Sequence, residues 1–375
     1  MERQPARPGV QAALWRHPGR HRRGRRGRRP TVGVSGALNL LAIETSCDET
    51  AAAVVRDGRE IVSSVVASQI ALHAAHGGVV PELAAREHLQ AIAPVVDAAL
   101  RPLAGGWDDL DAVTVTRGPG LVGCLLIGAL YAQAVATARR LPICGVSHLA
   151  GHVYSAWLAE PVLEPPFLAL VVSGGHTECI ELVAHGEAVR LASTRDDAAG
   201  EAFDKVARLL GLPYPGGPAI QGAAVDGDAG RFPLPRTRLG NAFSFSGLKT
   251  AVRYTIRDLP AAELDGHGVP GSAETVSALA ASFQHTAVAQ LVDGLEDAVE
   301  RTGAQTIAVV GGVAANAALR EAVQRRFAGL RVVVPPLDLC TDNAAMIGAA
   351  GWHRLRLRGP DPPGIVVDPS LVEFA

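Results

Sequence analysis

The feature that most constrains the fold is an order of predicted elements that occurs twice along the chain. Strand, strand, strand, helix, strand, helix and strand follow one another from about residue 38, and the same order begins again at about residue 167. In each copy a polar turn follows the first strand. This repeat predicts an α/β protein of two similar halves that face one another across a cleft, the usual place for a ligand.

Apolar periodicity and turn residues place the elements of both copies. The first copy is predicted to contain strands at 38–43, 51–55 and 61–67, a helix at 81–100, a strand at 112–116, a helix at 121–139 and a strand at 142–146. The second copy is predicted to contain strands at 168–172, 177–183 and 188–193, a helix at 198–210, a strand at 306–310, a helix at 315–327, a strand at 331–334 and a final helix at 343–357. The stretch 214–271 is rich in glycine and proline, so we predict an irregular insertion or lid there.

The first 37 residues differ in charge from the rest of the chain. They contain ten arginines and one acidic residue, a net charge of +9, which leaves −11 for the remainder of a chain whose total is −2. Such a segment is typical of a nucleic-acid arm, of a transit peptide or of a start site placed upstream of the true protein. We favour a disordered and dispensable tail.

Composition bounds the class of protein. Hydrophobic residues make up 48% and charged residues 19%, which predicts a sizeable folded core. Aromatic residues make up 4%, which argues against a stacking platform for single-stranded nucleic acid. The longest apolar stretch, 121–136, is shorter than the roughly 20 residues of a membrane span, and no secretory signal follows the tail arginines. The five cysteines lack paired spacing, which favours a reduced, cytoplasmic location.

Two histidines four residues apart, His148 and His152, lie where a helix is predicted to begin. This spacing puts both imidazoles on one face of the helix. Asp342 is the best candidate for a third metal ligand, because it opens a second apolar helix and is an N-cap residue type. Two histidines and one carboxylate leave metal positions open, which suits catalysis. Taken alone, such a pair is more often two exposed histidines at helical spacing.

Three turns are candidates for holding a nucleotide: 44–50, 172–177 and 309–316. Glycine and serine let backbone amides point toward an anion, and the third turn also opens a helix. Neither the P-loop nor the dinucleotide-binding fingerprint occurs, so the hairpins themselves would hold the nucleotide. Asp204, on a predicted helix, could accept hydrogen bonds from ribose hydroxyls, although a surface ion pair is equally typical of such a residue.

Ten motifs together resemble one family, the tRNA N6-adenosine threonylcarbamoyltransferases, once named O-sialoglycoprotein endopeptidases. In order along the chain they are 44–50, 76–82, 117–120, 148–152, 172–177, 196–205, 214–218, 243–249, 311–316 and 341–346. The resemblance implies an α/β protein of the actin-like, Hsp70-like ATPase fold, with two RNase H-like halves facing a nucleotide cleft. The first half would be 38–155, completed by the helix at 343–357, and the second 156–342.

The resemblance also implies an activity. The family transfers a threonylcarbamoyl group from threonylcarbamoyl-AMP to N6 of adenosine 37, just 3′ of the anticodon, in tRNAs that read codons beginning with A. By position, His148, His152 and Asp342 would be ligands of one divalent metal ion, with Fe²⁺ favoured and Zn²⁺ the alternative. The implied partners are tRNA, a small paralogous subunit and an ATPase subunit, as in bacteria.

Further site residues follow from the same resemblance. The adenylate-binding set would be Val171, Val172, Ser173, Gly174, Gly175, Asp204, Gly217 and Asn316. Gln221 stands where the family often has aspartate; a neutral amide can still form a hydrogen bond with a hydroxyl. Asp48 and Glu49 match acidic residues on the reaction side of the cleft, either as a base for the amine proton or as groups that orient a metal-bound water.

Two other classes of function stay open, and one is excluded. A zinc endopeptidase is excluded because Leu149 stands where the H-E-x-x-H motif requires glutamate. The open alternatives are an ATPase or phosphotransferase of the same fold and a scaffold without catalytic activity. An acidic body is unusual for a protein that binds tRNA, so we expect partner subunits, a local basic strip, or both to supply phosphate contacts. The candidates for this strip are Arg231, Arg236, Arg238, Lys249 and Arg253.

Overall fold

The computed structural model describes residues 37–160, 162–237, 240, 242–371 and 374. The predicted basic tail therefore lies outside the described residues except for its last position, and Arg238 lies outside them as well.

The described residues form two five-stranded sheets with the same topology. The first contains β1 (Asn39–Glu44), β2 (Glu49–Arg56), β3 (Glu60–Ser68), β4 (Ala112–Gly118) and β5 (Ile143–Ser147), in the order β3-β2-β1-β4-β5. The second contains β6 (Phe167–Val172), β7 (Thr177–Ala184), β8 (Glu187–Ser193), β9 (Thr306–Val310) and β10 (Arg331–Val333), in the order β8-β7-β6-β9-β10. In each sheet the first three strands are antiparallel and the last two are parallel to the central strand. The predicted repeat and its antiparallel meander are confirmed.

The helices flank these sheets. Those of the first half are α1 (Ile70–Ala74), α2 (Pro81–Leu100), α3 (Val122–Arg139) and α4 (His148–Ala159). After β8 follow α5 (Ala199–Leu209), α6 (Gly216–Ala223), α7 (Ser246–Arg257), α8 (Ala273–Thr302), α9 (Ala317–Arg326), α10 (Leu337–Cys340) and α11 (Ala344–Arg358). The last helix packs on β1, β2 and α4. We keep the boundary between the halves near residue 155 as a proposal.

The central strands β1 and β6 are buried along almost their whole length, since helices cover both faces of each sheet. Their carboxyl ends lead directly into two of the polar turns, 45–48 and 173–176. Because the parallel neighbours β4 and β9 run the same way, their following turns lie at the same edges of the sheets. The topology therefore gathers the candidate site residues at these edges.

Three helices correct the sequence prediction. The stretch 214–271, predicted as irregular, contains α6 and also α7, whose Leu248, Val252 and Ile256 are buried at a spacing of four residues. The 30-residue helix α8 was not predicted, because it is buried on more than one face and so lacks a clear apolar period. Its boundary signals are nevertheless present: Ser272 caps the first turn by accepting from the Thr275 amide, and Gly303 ends the helix at φ +68°.

Candidate metal centre and nucleotide cleft

The three predicted metal ligands lie together. His148 and His152 are on the first turns of α4, which begins directly after β5. Their Nε2 atoms lie 3.5 and 3.3 Å from Oδ1 of Asp342, and the candidate ligand atoms of all three residues lie within 4.8 Å of one another. The prediction was wrong about how Asp342 is placed: Asn343 caps α11 by accepting from the Met346 amide. The carboxylate of Asp342 is therefore not used as the cap and faces the histidines.

The surroundings of these residues fit a metal ion. His152 is fully buried, yet its Nδ1 has no hydrogen-bond partner among the described residues, and its Nε2 has only the Asp342 carboxylate at 3.3 Å, without a well-formed hydrogen bond. A buried imidazole without partners is costly unless a ligand occupies it. Nδ1 of His148 lies 3.1 Å from Oε2 of Glu44, which leaves its Nε2 directed at Asp342. The cluster thus presents two nitrogens and one carboxylate oxygen to the same point, the donor set of an open catalytic site.

Sequence reasoning missed Glu44 as a residue of this site. It is 1% exposed and accepts from the hydroxyl of Thr116 and the amide of Ser46 as well as facing His148. Burial opposes its ionised form, but the adjacent His148 and the Thr116 hydroxyl outweigh that cost and hold the pKa of Glu44 below its ordinary value. The available signal was a charged residue at the end of a buried strand, within the motif 44–50.

We expect Glu44→Gln to lower metal affinity about 10- to 100-fold. The glutamine side chain would accept a weaker hydrogen bond from His148 Nδ1. It would therefore no longer hold the ring in the orientation that leaves Nε2 free to bind the metal. The measurement is titration of the metal-free protein with Zn²⁺ by calorimetry. The control is Glu60→Gln, which removes a carboxylate that pairs with Arg56 at the surface. Equal Zn²⁺ affinity for Glu44→Gln and wild type would show that Glu44 does not orient the ligand.

Metal binding is expected to depend on pH through His148. Burial favours its neutral form, but the carboxylates of Asp342 and Glu44 outweigh burial and raise the pKa of His148 to about 9. In the metal-free protein the ring is therefore protonated at neutral pH, and a metal ion must displace that proton. Apparent Zn²⁺ affinity should rise about tenfold per pH unit and level off near pH 9. Calorimetry at pH 7 in buffers of different ionisation enthalpy should show proton release; binding without it would contradict the assignment.

The turn after β6 lies beside this cluster. Ser173 and His176 close it with backbone and hydroxyl hydrogen bonds. Burial lowers the pKa of His176 to about 4, and the charges of His148 and His152 add to this shift. Gly174 and Gly175 are exposed at its tip. The side chains of Val171 and Val172 are buried in β6, so only their backbone could contact a ligand. The turn can therefore present main-chain groups to an anion near the metal cluster.

The other candidate nucleotide residues lie around α6 and α9. Asp204 Oδ1 accepts from the amide of Gly216, and burial raises the pKa of Asp204. Gly217 has open space where a side chain would lie. Asn316 caps α9 and donates from Nδ2 to Oε1 of Gln284 at 2.8 Å. The Oε1 of Gln221 accepts from the Ala317 amide at 2.7 Å, so its oxygen ties α6 to α9.

A cavity of about 570 Å³ adjoins this group of residues. It lies between the segment 224–229 that follows α6, helix α8 and helix α9, and Gln284, the partner of Asn316, lines it. Its walls include small apolar side chains such as Ala281 and Ala318, with charged groups such as Arg325 at the rim. The volume and lining suit a flat, largely apolar group.

Glu49 begins β2 and Asp48 directly precedes it, and both carboxyls lie within electrostatic reach of an acidic residue of the cleft, Asp342 for Glu49 and Asp204 for Asp48. Burial raises the pKa of Glu49 far above its ordinary value, and Asp342 and Asp48 add to the shift by charge repulsion. Ser68 donates a hydrogen bond to Oε1 of Glu49 at 3.2 Å. Burial raises the pKa of Asp204, and the charge of Asp48 adds to this shift, so the two carboxyls lie within electrostatic reach of one another. A close pair of buried carboxyls can hold or accept a proton in this cleft.

Comparison with known proteins gives a consistent result for sequence. A family model described as TsaD, tRNA N6-adenosine threonylcarbamoyltransferase, matches residues 60–349. The tRNA N6-adenosine threonylcarbamoyltransferase of Gloeobacter violaceus is 51% identical over 323 residues, which are 84% of this chain and 90% of that protein. The protein of the same name from Bacillus subtilis is 49% identical over 320 residues, again 84% of this chain and 90% of the relative.

Comparison of structures bears on the fold. HypF from T. kodakarensis superposes with a TM-score of 0.59 at 14% identity, over 86% of this chain and 48% of that one. Full-length HypF in the phosphate- and nucleotide-bound form gives 0.54 at 13% identity, over 88% and 47% of the two chains. These proteins have the actin-like ATPase fold, so the predicted α/β, actin-like architecture is confirmed.

Proposed function

Because the chain belongs to the family of tRNA N6-adenosine threonylcarbamoyltransferases, we propose that His148, His152, Asp342 and the facing turn 173–176 form one active site for threonylcarbamoyl transfer to tRNA. The chain is a tRNA-modifying transferase that acts on N6 of adenosine. The main support for this site is that the ligand atoms of His148, His152 and Asp342 converge on one point beside the 173–176 turn. The ATPase and scaffold alternatives are not favoured, since the relatives are transferases.

The donor in this proposal is threonylcarbamoyl-AMP. Backbone amides of Gly174 and Gly175 would hold its phosphate, since the Ser173 amide already donates to the His176 carbonyl. Asp204 and Asn316 would hold its nucleoside, near Gly217 where the backbone leaves open space. The cavity beside Gln284 has room for the purine base. Gln221 would reach the ligand through its amide nitrogen, because its oxygen is engaged by Ala317.

In the transfer, the N6 amine of adenosine attacks the carbamoyl carbon, the bond from that carbon to the phosphate oxygen breaks, and AMP leaves. An adenine amine is a weak nucleophile, so the anhydride must be held in line and activated. A divalent metal on His148, His152 and Asp342 would supply Lewis-acid polarisation of the phosphate when bound. Of the carboxyl pair, Asp48 would take the proton that the amine loses, because the raised pKa of Glu49 keeps the second carboxyl protonated. The amides of Gly174 and Gly175 would stabilise the charge on the departing phosphate.

For the metal we propose Fe²⁺, with Zn²⁺ as the alternative that the donor set also suits. Protein purified without oxygen and assayed for bound metals and for transfer after reconstitution with each ion separates the two. Transfer restored by Zn²⁺ and not by Fe²⁺ would overturn the choice.

The proposal is tested by transfer of labelled threonine to unmodified tRNA in the presence of the adenylate-forming enzyme, ATP, bicarbonate and candidate partner subunits. Wild type is expected to label tRNAs that read codons beginning with A at the adenosine 3′ of the anticodon. If the protein binds the adenylate but labels no tRNA under any of these conditions, the ATPase or scaffold function would replace the transferase.

For partners we propose a small paralogous subunit and an ATPase subunit, and we assign the paralogue to the outer face of α2 and α3. Val122, Leu126 and Leu130 follow one another at a spacing of four residues on α3 and are 53%, 42% and 65% exposed, and Leu89 on α2 is 66% exposed. By length and composition alone α3 could also cross a membrane. In the fold 33% of its span is buried, which leaves most of the helix for contact with a partner. An apolar stripe on packed helices suits a helical partner.

We expect Leu126→Asp to abolish copurification with the paralogous subunit, because a charge would lie in the centre of the apolar contact. The matched control, Ala138→Asp, adds the same charge at an exposed position near the C-terminal end of the same helix. Thermal unfolding of the isolated chain should be unchanged by Leu126→Asp, since the side chain is exposed. Retained binding would exclude this face.

The location that suits such a complex is the cytoplasm, where tRNA is present.

A further inference from the structure

Most residues of the expected basic strip are paired with acidic side chains in the structure. Arg231 pairs with Glu263 and Glu274. Arg236 lies 3.7 Å from Asp293, and Lys249 lies 2.8 Å from Asp197. These charges are neutralised locally, so they are poorly placed to attract phosphate. Arg253, in contrast, forms no ion pair with the described part of the chain.

Arg253 belongs to an exposed group on the outer face of α7. Tyr254 is 46% exposed, with the guanidinium carbons of Arg253 and Arg257 lying 5.5 and 4.7 Å from its ring centre. Asp258 holds Arg257 through two hydrogen bonds of 2.8 and 3.2 Å. The opposite face of α7 is buried in the second half, so this group cannot turn inward. A composition with 4% aromatic residues argues against a platform of several rings but leaves one ring available for one base.

A dense network fixes α7 to the active-site edge. Asp196 accepts hydrogen bonds from the hydroxyls of Ser244 and Ser246 and from the amides of Phe245 and Ser246, so both of its oxygens are used. Asp197, the next residue, joins Lys205 of α5 to Lys249 of α7. Helix α5 in turn begins against the 173–176 turn, since the Gly200 amide donates to the Ser173 carbonyl. The outer face of α7 is therefore held in a fixed position relative to the 173–176 turn.

We propose that the outer face of α7, formed by Arg253, Tyr254 and Arg257, is where the RNA substrate docks, with an unpaired base stacked on Tyr254 and a phosphate on Arg253. An aromatic ring next to arginines is the combination that binds unpaired nucleotides, because the ring stacks on a base while the guanidinium neutralises the backbone. An anticodon loop supplies unstacked bases, which RNA-binding proteins read in this way. The inference depends on the proposed function, since it assigns the surface that presents the tRNA.

The test measures binding of a fluorescent anticodon stem-loop RNA with an unmodified target adenosine to the full chain, over a range of salt concentrations. Tyr254→Ala should weaken binding about tenfold with little change in the salt dependence, because a stack but no charge is lost. Tyr254→Phe should bind like wild type. Arg253→Ala should weaken binding and reduce the slope of log affinity against log salt by about 0.7. In the transfer assay the KM for RNA should rise while kcat and adenylate affinity stay unchanged.

The matched control is Arg101→Ala, which removes one exposed positive charge at the end of α2 in the first half. If Tyr254→Ala and Arg253→Ala bind RNA like this control while wild type transfers normally, the α7 surface is not the RNA site and the proposed function stands. If both variants keep RNA affinity but lose a partner subunit, the surface is a protein interface and the inference fails. If wild type neither binds nor modifies RNA with its partners present, the proposed function itself has failed.

Discussion

Replacing Asp342 by alanine is expected to remove metal binding and to lower threonylcarbamoyl transfer by about a thousandfold. Asp342 is the carboxylate that both histidines face, at 3.5 and 3.3 Å. Without it two nitrogens are left, and activation by a bound metal is worth several kcal/mol, where each 1.36 kcal/mol is a factor of ten in rate. The loss of negative charge should also lower the pKa of His148, because Asp342 contributes to raising it.

The measurement pairs metal content with the rate of single-turnover transfer. Asp338→Ala is a suitable control, since it removes an exposed carboxylate four positions earlier on α10. Thermal unfolding of both variants separates a folding defect from a loss of metal. A variant that keeps its metal and its rate would remove Asp342 from the site, and a variant that loses metal but transfers at the wild-type rate would remove the metal from the mechanism.

Gly200→Ala is expected to lower adenylate affinity and transfer strongly, by about a hundredfold in rate. A Cβ at this position would lie 2.7 Å from the Ser173 carbonyl oxygen and 2.9 Å from Cα of Gly174. Both are backbone atoms, so the 173–176 turn or the start of α5 must shift. A displacement of about 1 Å of groups that position a substrate can cost two orders of magnitude in rate.

Gly222→Ala is the matched control for this variant. It makes the same change within a helix, α6, but its Cβ would have no neighbour within 4 Å. Alanine is favoured over glycine in a helix by about 1 kcal/mol, so Gly222→Ala should be neutral or stabilising. Binding of an inert adenylate analogue by calorimetry, with thermal unfolding alongside, compares the two. Normal analogue binding by Gly200→Ala would show that the turn does not require this close approach.

The secondary structure was largely accessible from the sequence, because local periodicity reports which face of an element is buried. The bounds of α2 and β9 were predicted as they occur, since α2 begins with Pro81 and β9 lies between polar residues and glycine. The start of α9 was placed two residues early, because a short turn of tighter helix precedes Asn316. Helix α8 was missed for the opposite reason: a helix buried on several sides has no polar face to mark its period.

The sequence by itself determined the repeated topology, the family and the two histidines on one helical face, because each of these depends on short-range spacing. The sequence also predicted Asp342 as the third ligand. Only the tertiary structure decided that Asn343 and not Asp342 takes the cap, and that Glu44 lies against His148. It also decided that Gln221 joins two helices and that most of the expected basic strip is neutralised by acidic neighbours. The physical reason is common to all four. Which charges and donors meet across the cleft depends on how distant segments pack, and local sequence patterns carry no information about those pairings.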